Sequence, residues 1–249
     1  MEWQELDIEQ NSDEWYRLRI GRFTASAIGH LFTEPRSNKA KAAGELSQGA
    51  KKYIAKVVTE RRHGKPVVKP LEHVAAIAYG NIYEKEAVEW YEAYHEIETQ
   101  QAGFFAGGEW LGASPDRLIG NNGVLEIKCC YEKTVHTERI ALWLDTQEEG
   151  GTGNDFLLKY DKLYYYQVQF QMYCTQRKWA HWVSYDPDLV THDNLMLKAQ
   201  AMLLIELEFD DSIDFEGKAN KAIEHAQKRL RQLSEMKTPI IGRTEKFNK

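Results

Sequence analysis

The chain has 249 residues, of which 43% are hydrophobic, and it carries a formal net charge of −6. This length and composition are enough to bury one sizeable core, so we expect a single domain over residues 1–249. No stretch approaches the roughly eighteen consecutive apolar residues of a membrane-spanning helix. The first ten residues carry four acidic side chains and lack the apolar core of a signal peptide. We therefore expect a cytoplasmic protein that does not associate with a membrane.

The cysteine pattern gives no sign of a disulfide or of a structural metal site. The three cysteines, Cys129, Cys130 and Cys174, are an odd number and lack the paired spacing of a zinc site. We expect free thiols in a reducing compartment, with neither a disulfide nor a structural zinc ion.

Positive charge is concentrated near the beginning of the chain. Residues 15–70 contain thirteen Lys or Arg against three acidic residues, a local balance of +10, which leaves −16 (−6 minus 10) for the remainder. This asymmetry is typical of a protein in which one face binds a polyanion while carboxylates elsewhere gather around metal ions. A basic helix that simply faces solvent would explain the charge pattern equally well.

Two helices are predicted in the first hundred residues. Apolar spacing predicts one between Ser47, a favourable N-cap, and Gly64, a favourable C-terminal stop. Its predicted outer face carries Lys51, Lys52, Lys56, Arg61 and Arg62. A second helix is predicted from about Glu72 to Glu96. Its apolar stripe comprises Ile77, Gly80, Ala87, Val88 and Tyr91, and it includes Glu84.

Strand-like runs follow, namely GFFAG, EWLGASPDRLIG and GVLEIKCC, with a plausible hairpin turn at residues 121–123. We interpret them as a small meander. A helix is predicted from about Asp161 to Gln176, followed by the strand WAHWVSYD, which Asp186-Pro187 ends. A last strand and helix are predicted at about 200–238, with an apolar stripe from Phe215 to Leu233. Residues 34–47 and 148–154 are expected to be long loops that border a substrate channel. This order predicts an α/β fold with a mixed β-sheet flanked by helices.

The hairpin carries the residues with the clearest chemistry. Glu126 and Lys128 are two apart on one strand, so they point to the same face, and the preceding strand brings Asp116 beside them. Carboxylate oxygens are the ligands that Mg²⁺ prefers, and the backbone carbonyl of Ile127 adds a neutral one. The Lys128 ammonium is placed to orient an attacking water and to offset negative charge in a transition state.

Glu84 is the fourth candidate in this group. A carboxylate on the apolar stripe of a helix is unfavourable unless it meets a cation or a hydrogen-bond donor, and a metal ion would be such a partner. A position at the edge of the stripe, with no functional role, explains Glu84 taken alone at least as well.

Four segments together resemble the lambda exonuclease or YqaJ-like viral recombinase family of the PD-(D/E)XK nuclease superfamily. They are WYRLRIGRFTAS at 15–26, AIAYGNIYEKEA at 76–87, GASPDRLIGNNGVLEIKC at 112–129 and YYYQVQFQMYCTQRKWAHWVSYDP at 164–187. The resemblance implies a restriction-endonuclease-like fold with its core at about 15–187.

The resemblance also implies roles for individual residues. Glu84, Asp116 and Glu126 would be metal ligands, and Lys128 would position the nucleophilic water. Gln167, with Gln169 and Tyr173 as weaker matches, would lie on a helix that lines the active site. A pocket for a terminal 5′ phosphate would contain Arg19, Ser26 and Ser114, whose guanidinium and hydroxyls are good hydrogen-bond donors to phosphate oxygens.

The sequence departs from the family pattern at three points. Arg117 and Cys130 replace the more usual glycine and proline, and Thr134 stands about where the family has an arginine. Lys133 or Arg139 would have to substitute for that arginine, and we include Lys133 in the predicted phosphate pocket.

By resemblance, the protein would be a Mg²⁺-dependent exonuclease, with Mn²⁺ as a possible substitute, that degrades one strand of duplex DNA from its 5′ end by a two-metal mechanism. The 3′ single-stranded tail would pass to a single-strand annealing protein for recombination, and the enzyme would be a ring-shaped homotrimer around DNA. Two alternatives stay open: an endonuclease of restriction or repair type, and a DNA-binding module without catalysis on the same fold.

Overall fold

The structure is a computed structural model, which describes residues 2–67 and 75–236. The predicted helix start at Glu72 and the side chain of Ile77 lie outside the described residues. No helix in the described ranges is both long and apolar enough to cross a bilayer.

The helices and strands alternate along the chain. The helices are α1 (Asp13–Arg19), α2 (Ala25–Ile28), α3 (Asn38–Ala42), α4 (Gln48–His63), α5 (Ala75–His95), α6 (Lys133–Glu148), α7 (Gly153–Tyr160), α8 (Lys162–Thr175), α9 (Pro187–Val190), α10 (Leu195–Lys198) and α11 (Phe215–Ser234), with a 3₁₀ turn at Gly29–Phe32. The strands are β1 (Gln4–Leu6), β2 (Phe23–Thr24), β3 (Gln100–Gln101), β4 (Phe104–Gly107), β5 (Leu111–Ala113), β6 (Arg117–Ile119), β7 (Gly123–Cys129), β8 (Trp179–Tyr185) and β9 (Met202–Glu208).

The strands form two mixed sheets, so the predicted α/β class with mixed pairing is confirmed. A four-stranded sheet has the order β1-β4-β5-β2, in which only β2 and β5 are parallel. A five-stranded sheet has the order β3-β6-β7-β8-β9, in which β7 and β8 are parallel and the other neighbours antiparallel. Strand β7 therefore lies at the centre of the larger sheet.

Helices cover both faces of the five-stranded sheet. Val124 of β7 packs with residues of α7 and α8, whereas Leu125 and Ile127 pack with Ala87 and Tyr91 of α5. A separate core joins the four-stranded sheet to α4, α8 and α11. Helix α8 thus contributes to two cores and links the two sheets.

The first long predicted helix is confirmed as α4. Ser47 caps it by accepting a hydrogen bond from the Ala50 N–H at 3.0 Å, and Gly64 ends it with a φ of +62°. Arg61 differs from the predicted outer face. Its Nε donates to the Gly21 carbonyl at 2.7 Å and its guanidinium lies 3.5 Å from the ring centre of Trp110, so it ties α4 to the core.

Later elements also match their predictions. Asp161 caps α8 through the Leu163 and Tyr164 N–H groups, Gln176 ends it, and β8 stops before Asp186. The buried side of α11 includes Phe215, Ala219, Ala222 and Ala226, as its apolar stripe predicts.

The predicted meander is wrong, because the run EWLGASPDRLIG divides between the two sheets at residues 114–116. The predicted loops are also shorter than expected. Residues 34–47 include α3, and residues 149–152 are a brief connection between α6 and α7. Helix α6 was not predicted.

Two glycine substitutions should affect stability in opposite directions. A methyl group at Gly153, the first residue of α7, would overlap the backbone carbonyl of Glu206 in β9, whereas one at Gly80 in α5 meets no atom within 4 Å. We expect Gly153→Ala to lower the free energy of unfolding by about 1–3 kcal/mol through overpacking. Gly80→Ala should raise it by up to about 1 kcal/mol through helix propensity.

Denaturant unfolding of both variants measures the difference. A Gly153→Ala protein as stable as the wild type would contradict the close approach of α7 to β9 described above.

Candidate active site

The centre of the site is the place where β6 stops pairing with β7. The last pair in this direction is Arg117↔Leu125, so the ladder ends before the Ile127 N–H. The carboxylate of Asp116, the residue before β6, accepts a hydrogen bond from that N–H at 2.6 Å. This bond fixes the Asp116 carboxylate against the backbone of β7, beside the predicted Glu126 and Lys128.

Glu126 is almost fully buried, and every contact it makes here comes from a hydrogen-bond donor. Its Oε1 accepts from Lys128 Nζ and from Gln167 Nε2, the latter at 2.5 Å. Its Oε2 accepts from Gln171 Nε2 at 2.6 Å. Gln167 and Gln171 are four apart on α8, so one face of that helix holds both oxygens of one carboxylate.

Glu84 enters the site from the other side of the sheet, because α5 packs on the face opposite α8. It is half-buried, and burial together with the nearby Glu126 carboxylate raises its pKa. Burial and the carboxylates of Glu126 and Glu84 likewise raise the pKa of Asp116 well above its usual value. Glu84 and Asp116 therefore lie close enough to Glu126 for its charge to oppose the ionisation of both.

Lys128 is the cation of this group. Burial opposes its charged form, but the carboxylates of Glu126 and Asp116 outweigh that penalty and raise its pKa. Its Nζ also lies 5.2 Å from the ring centre of Tyr164. Lys128 therefore stays protonated at neutral pH and acts as a charged donor.

The donor set has the chemistry of a divalent-cation site but not its arrangement. Within residues 2–67 and 75–236, no three Asp, Glu, His or Cys side chains are arranged to hold a metal ion as they stand. The reason is that Asp116 faces the Ile127 N–H while Glu126 faces Lys128 and two glutamines. The chemistry of the set nevertheless fits a hard cation, since it offers only carboxylate oxygens whose repulsion a cation would relieve.

Trp15 contacts two of the residues that are predicted to bind the 5′ phosphate. Its Nε1 donates to Ser114 Oγ at 2.8 Å, and the Arg19 guanidinium lies 4.1 Å from its ring centre. Arg19 Nη2 donates to Ser26 Oγ at 3.2 Å, which uses one of the five donors of a guanidinium. Burial lowers the pKa of Arg19, and Glu126 is among the nearby groups that oppose this shift. Arg19, Ser26 and Ser114 thus form one cluster on the Glu126 side of the molecule.

Lys133 and Arg139 lie outside that cluster. The Lys133 ammonium contacts Tyr79 Oη and Asp186 Oδ1, both at 2.7 Å, and Asp188 at 3.0 Å. Arg139 is buried and donates to Ser184 Oγ at 3.0 Å and to Cys130 Sγ. Neither cation contacts the Arg19 cluster in these bonds, and the predicted phosphate role of Lys133 stays a prediction.

Other side chains that the sequence placed near the site have structural partners. Gln169 faces β9, where it donates to the Glu208 carbonyl and accepts from the Asp210 N–H. Tyr173 packs in the core against Trp3 and Phe215. Arg117 donates to Thr99 at 2.8 and 3.0 Å. Gln171, in contrast, was missed, although its spacing of four from Gln167 on a predicted helix was a usable signal.

Residues 14–178 match the family model of the YqaJ-like viral recombinase domain. The chain therefore belongs to that family, as the sequence resemblance predicted. A search of curated protein sequences gives no significant match.

Solved structures with a similar fold are exonucleases. The alkaline exonuclease LHK-Exo of Laribacter hongkongensis is 24% identical, with a TM-score of 0.68 over 90% of this chain and 96% of that one. Its complex with dAMP gives 25% identity and a TM-score of 0.67 over the same shares. A phage-related exonuclease of Haemophilus somnus 129PT is 16% identical, with a TM-score of 0.62 over 88% of this chain and 97% of that one. The fold is thus that of alkaline exonucleases.

The raised pKa of Asp116 predicts how metal-free stability depends on pH. The folded state binds this proton more tightly than the unfolded state, whose aspartate pKa is about 4. The free energy of unfolding should therefore fall as pH rises from that value through the raised one. We expect Asp116→Asn to flatten this fall, and Mg²⁺ to raise the melting temperature of the wild type more than that of the variant.

Thermal melting in a chelator and in Mg²⁺, across a pH series, measures both effects. Glu89→Gln is the matched control, because Glu89 lies exposed on α5 and loses the same charge. If Asp116→Asn keeps both the wild-type pH dependence and the wild-type response to Mg²⁺, Asp116 is not part of a cation site.

Proposed function

We propose that this protein is a Mg²⁺-dependent deoxyribonuclease that degrades one strand of duplex DNA from its 5′ end and leaves a 3′ single-stranded tail. The proposal extends to a homotrimeric ring around DNA and to a single-strand annealing protein that receives the tail. Mn²⁺ would substitute for Mg²⁺, because both accept oxygen ligands.

One observation carries the proposal: Glu84 of α5, Asp116 just before β6, and Glu126 and Lys128 of β7 meet around one end of the β6–β7 pairing. Membership of the recombinase family and the exonuclease fold support the same reading. A buried group of like charges is unfavourable for a purely structural region. This favours a site whose carboxylates serve a cation.

In this proposal Glu84, Asp116, Glu126 and the Ile127 carbonyl would hold the metal. When bound, divalent metal offsets the charge of the scissile phosphate and makes water a stronger nucleophile at neutral pH. Gln167 and Gln171 orient Glu126 as neutral donors. Lys128, which stays protonated, donates to the attacking water or to a phosphate oxygen and stabilises the negative charge that develops there.

The 5′ end would be recognised by Arg19, Ser26 and Ser114. A terminal phosphate carries more negative charge than an internal phosphodiester, so a guanidinium with two hydroxyls nearby favours it. The ring of Trp15 holds Arg19 in place, which reduces the entropy lost on binding.

Linear and covalently closed circular duplexes separate the candidate functions. We expect the wild type to degrade linear DNA in Mg²⁺ and to leave closed circles intact. Lys128→Ala should slow degradation by about 100-fold or more, as loss of a transition-state donor does. Its binding to duplex DNA, measured by fluorescence anisotropy in a chelator, should stay near that of the wild type.

Lys85→Ala provides the control, since that lysine is exposed on α5, next in sequence to Glu84. Equal cutting of circles and linear DNA would favour the endonuclease, and binding without any cutting by the wild type would favour the non-catalytic module. Full activity in Lys128→Ala would remove that lysine from the mechanism.

The phosphate cluster predicts a preference between DNA ends. The wild type should degrade 5′-phosphorylated duplex about tenfold or more faster than 5′-hydroxyl duplex, given the usual strength of hydrogen bonds to charged groups. Arg19→Ala should remove this difference by slowing only the phosphorylated substrate. Arg17→Ala, an exposed arginine of the same helix α1, should retain it. Initial rates on the two substrates test the cluster, and equal wild-type rates would refute it.

A further inference from the structure

We propose that Tyr79, Tyr83 and Tyr131 form an aromatic platform on which nucleobases at the end of the substrate DNA stack. The inference rests on the proposed function, because it assumes that DNA occupies the neighbouring site. It adds a base-binding surface to a site otherwise made of carboxylates and of hydrogen-bond donors to phosphate.

The three rings contact one another in a chain. Tyr79 and Tyr83 have ring centres 4.5 Å apart with planes at 49°, and Tyr79 and Tyr131 have centres 5.6 Å apart with planes at 77°. Tyr131 is 51% exposed, so much of its ring faces solvent. The platform therefore ends in a large aromatic surface that the described parts of the chain leave uncovered.

The platform is built on the two segments of the chain that supply Glu84 and Lys128. Tyr83 directly precedes Glu84 on α5, and Tyr131 follows Lys128 by three residues, just beyond the end of β7. The contact between Tyr79 and Tyr131 thus bridges the two elements that supply Glu84 and Lys128. In this proposal, a strand whose phosphate lies at these groups presents its adjacent bases to the rings.

Lys133 fixes this platform and acts as a positioning residue. Its Nζ donates to Tyr79 Oη at 2.7 Å and lies 5.0 Å from the centre of that ring. Asp186 and Asp188, at 2.7 and 3.0 Å, hold the ammonium from the other side. A ring held before DNA arrives loses less conformational freedom on binding.

Nucleobases are the ligand class that best fits an exposed ring beside a phosphodiester site. Every base has an aromatic face, so stacking tolerates any sequence, as an enzyme that degrades DNA from an end requires. The neighbouring Ile82, 68% exposed on α5, extends the apolar surface. A second copy of this chain packed on the same rings is the competing occupant.

Fluorescence of 2-aminopurine tests the platform without cleavage. The probe is a 5′-phosphorylated duplex with 2-aminopurine as the first base of the 5′ strand, bound in a chelator. Stacking on tyrosine should quench its fluorescence in the wild type. Tyr131→Ala should lose this quenching and bind the duplex about tenfold more weakly, the usual effect of removing one stacking ring. Tyr131→Trp should restore both.

Tyr94→Ala is the matched control. Tyr94 is 76% exposed on the same helix but lies ten residues beyond Glu84, about 15 Å along the helix axis. The Tyr94→Ala variant should quench the 2-aminopurine fluorescence and bind the duplex as the wild type does. Melting temperatures close to that of the wild type would show that each variant is folded. Tyr131→Phe keeps the aromatic ring, so it should keep the quenching.

Unchanged quenching in Tyr131→Ala would overturn the proposal. If the Tyr131→Ala variant retains the quenching and its oligomer dissociates, the proposal is also overturned, and the rings are a contact between copies of the chain. The outcome is independent of the nuclease test, because quenching is read without metal, whereas loss of the proposed function would appear as linear DNA left intact by the wild type in Mg²⁺.

Discussion

The site depends on a carboxylate that replaces a missing strand partner. Beyond the Arg117↔Leu125 pair, the Ile127 N–H would be left without a ladder acceptor, and a buried unpaired N–H is unfavourable. Asp116 accepts it at 2.6 Å and is thereby fixed by the sheet itself instead of by a loop. Next to this point, Glu84 of α5 lies close enough to Glu126 for that carboxylate to raise the pKa of Glu84, after the larger effect of burial.

The same closeness makes the arrangement electrostatically unfavourable without a cation. Burial and like charges raise the carboxyl pKa values of Glu84 and Asp116, so part of the folding free energy opposes the arrangement. Glu126 receives two neutral amide donors as well as Lys128. The amides are neutral, so they orient the carboxylate without forming an ion pair with it. Under the proposed function, stability and function conflict at this site, as is common where groups are prearranged for chemistry.

The sequence predicted those elements whose signals are local. Ser47 and Asp161 cap α4 and α8, and period-two spacing correctly placed Glu126 and Lys128 on one face of β7. The division of residues 111–119 between two sheets was missed, because alternation predicts a strand but not which sheet it joins. Helix α6 was missed for a related reason: its fully buried positions are the polar residues His136, Arg139 and Thr146, so its most buried side does not follow an apolar pattern.

Charged residues near a site in sequence were the hardest to assign, because their partners come from distant segments. Lys133 contacts Asp186, 53 positions away, and Arg139 reaches Ser184, 45 positions away. Arg117 is likewise held by Thr99. Each of these cations therefore makes structural contacts around the site, and sequence spacing could not have revealed those contacts. Arg19 differs in that its partners are Trp15 and Ser26, which are close in sequence. The grouping of Arg19 with Ser26 and with the distant Ser114 was nevertheless predicted from the family resemblance and not from spacing.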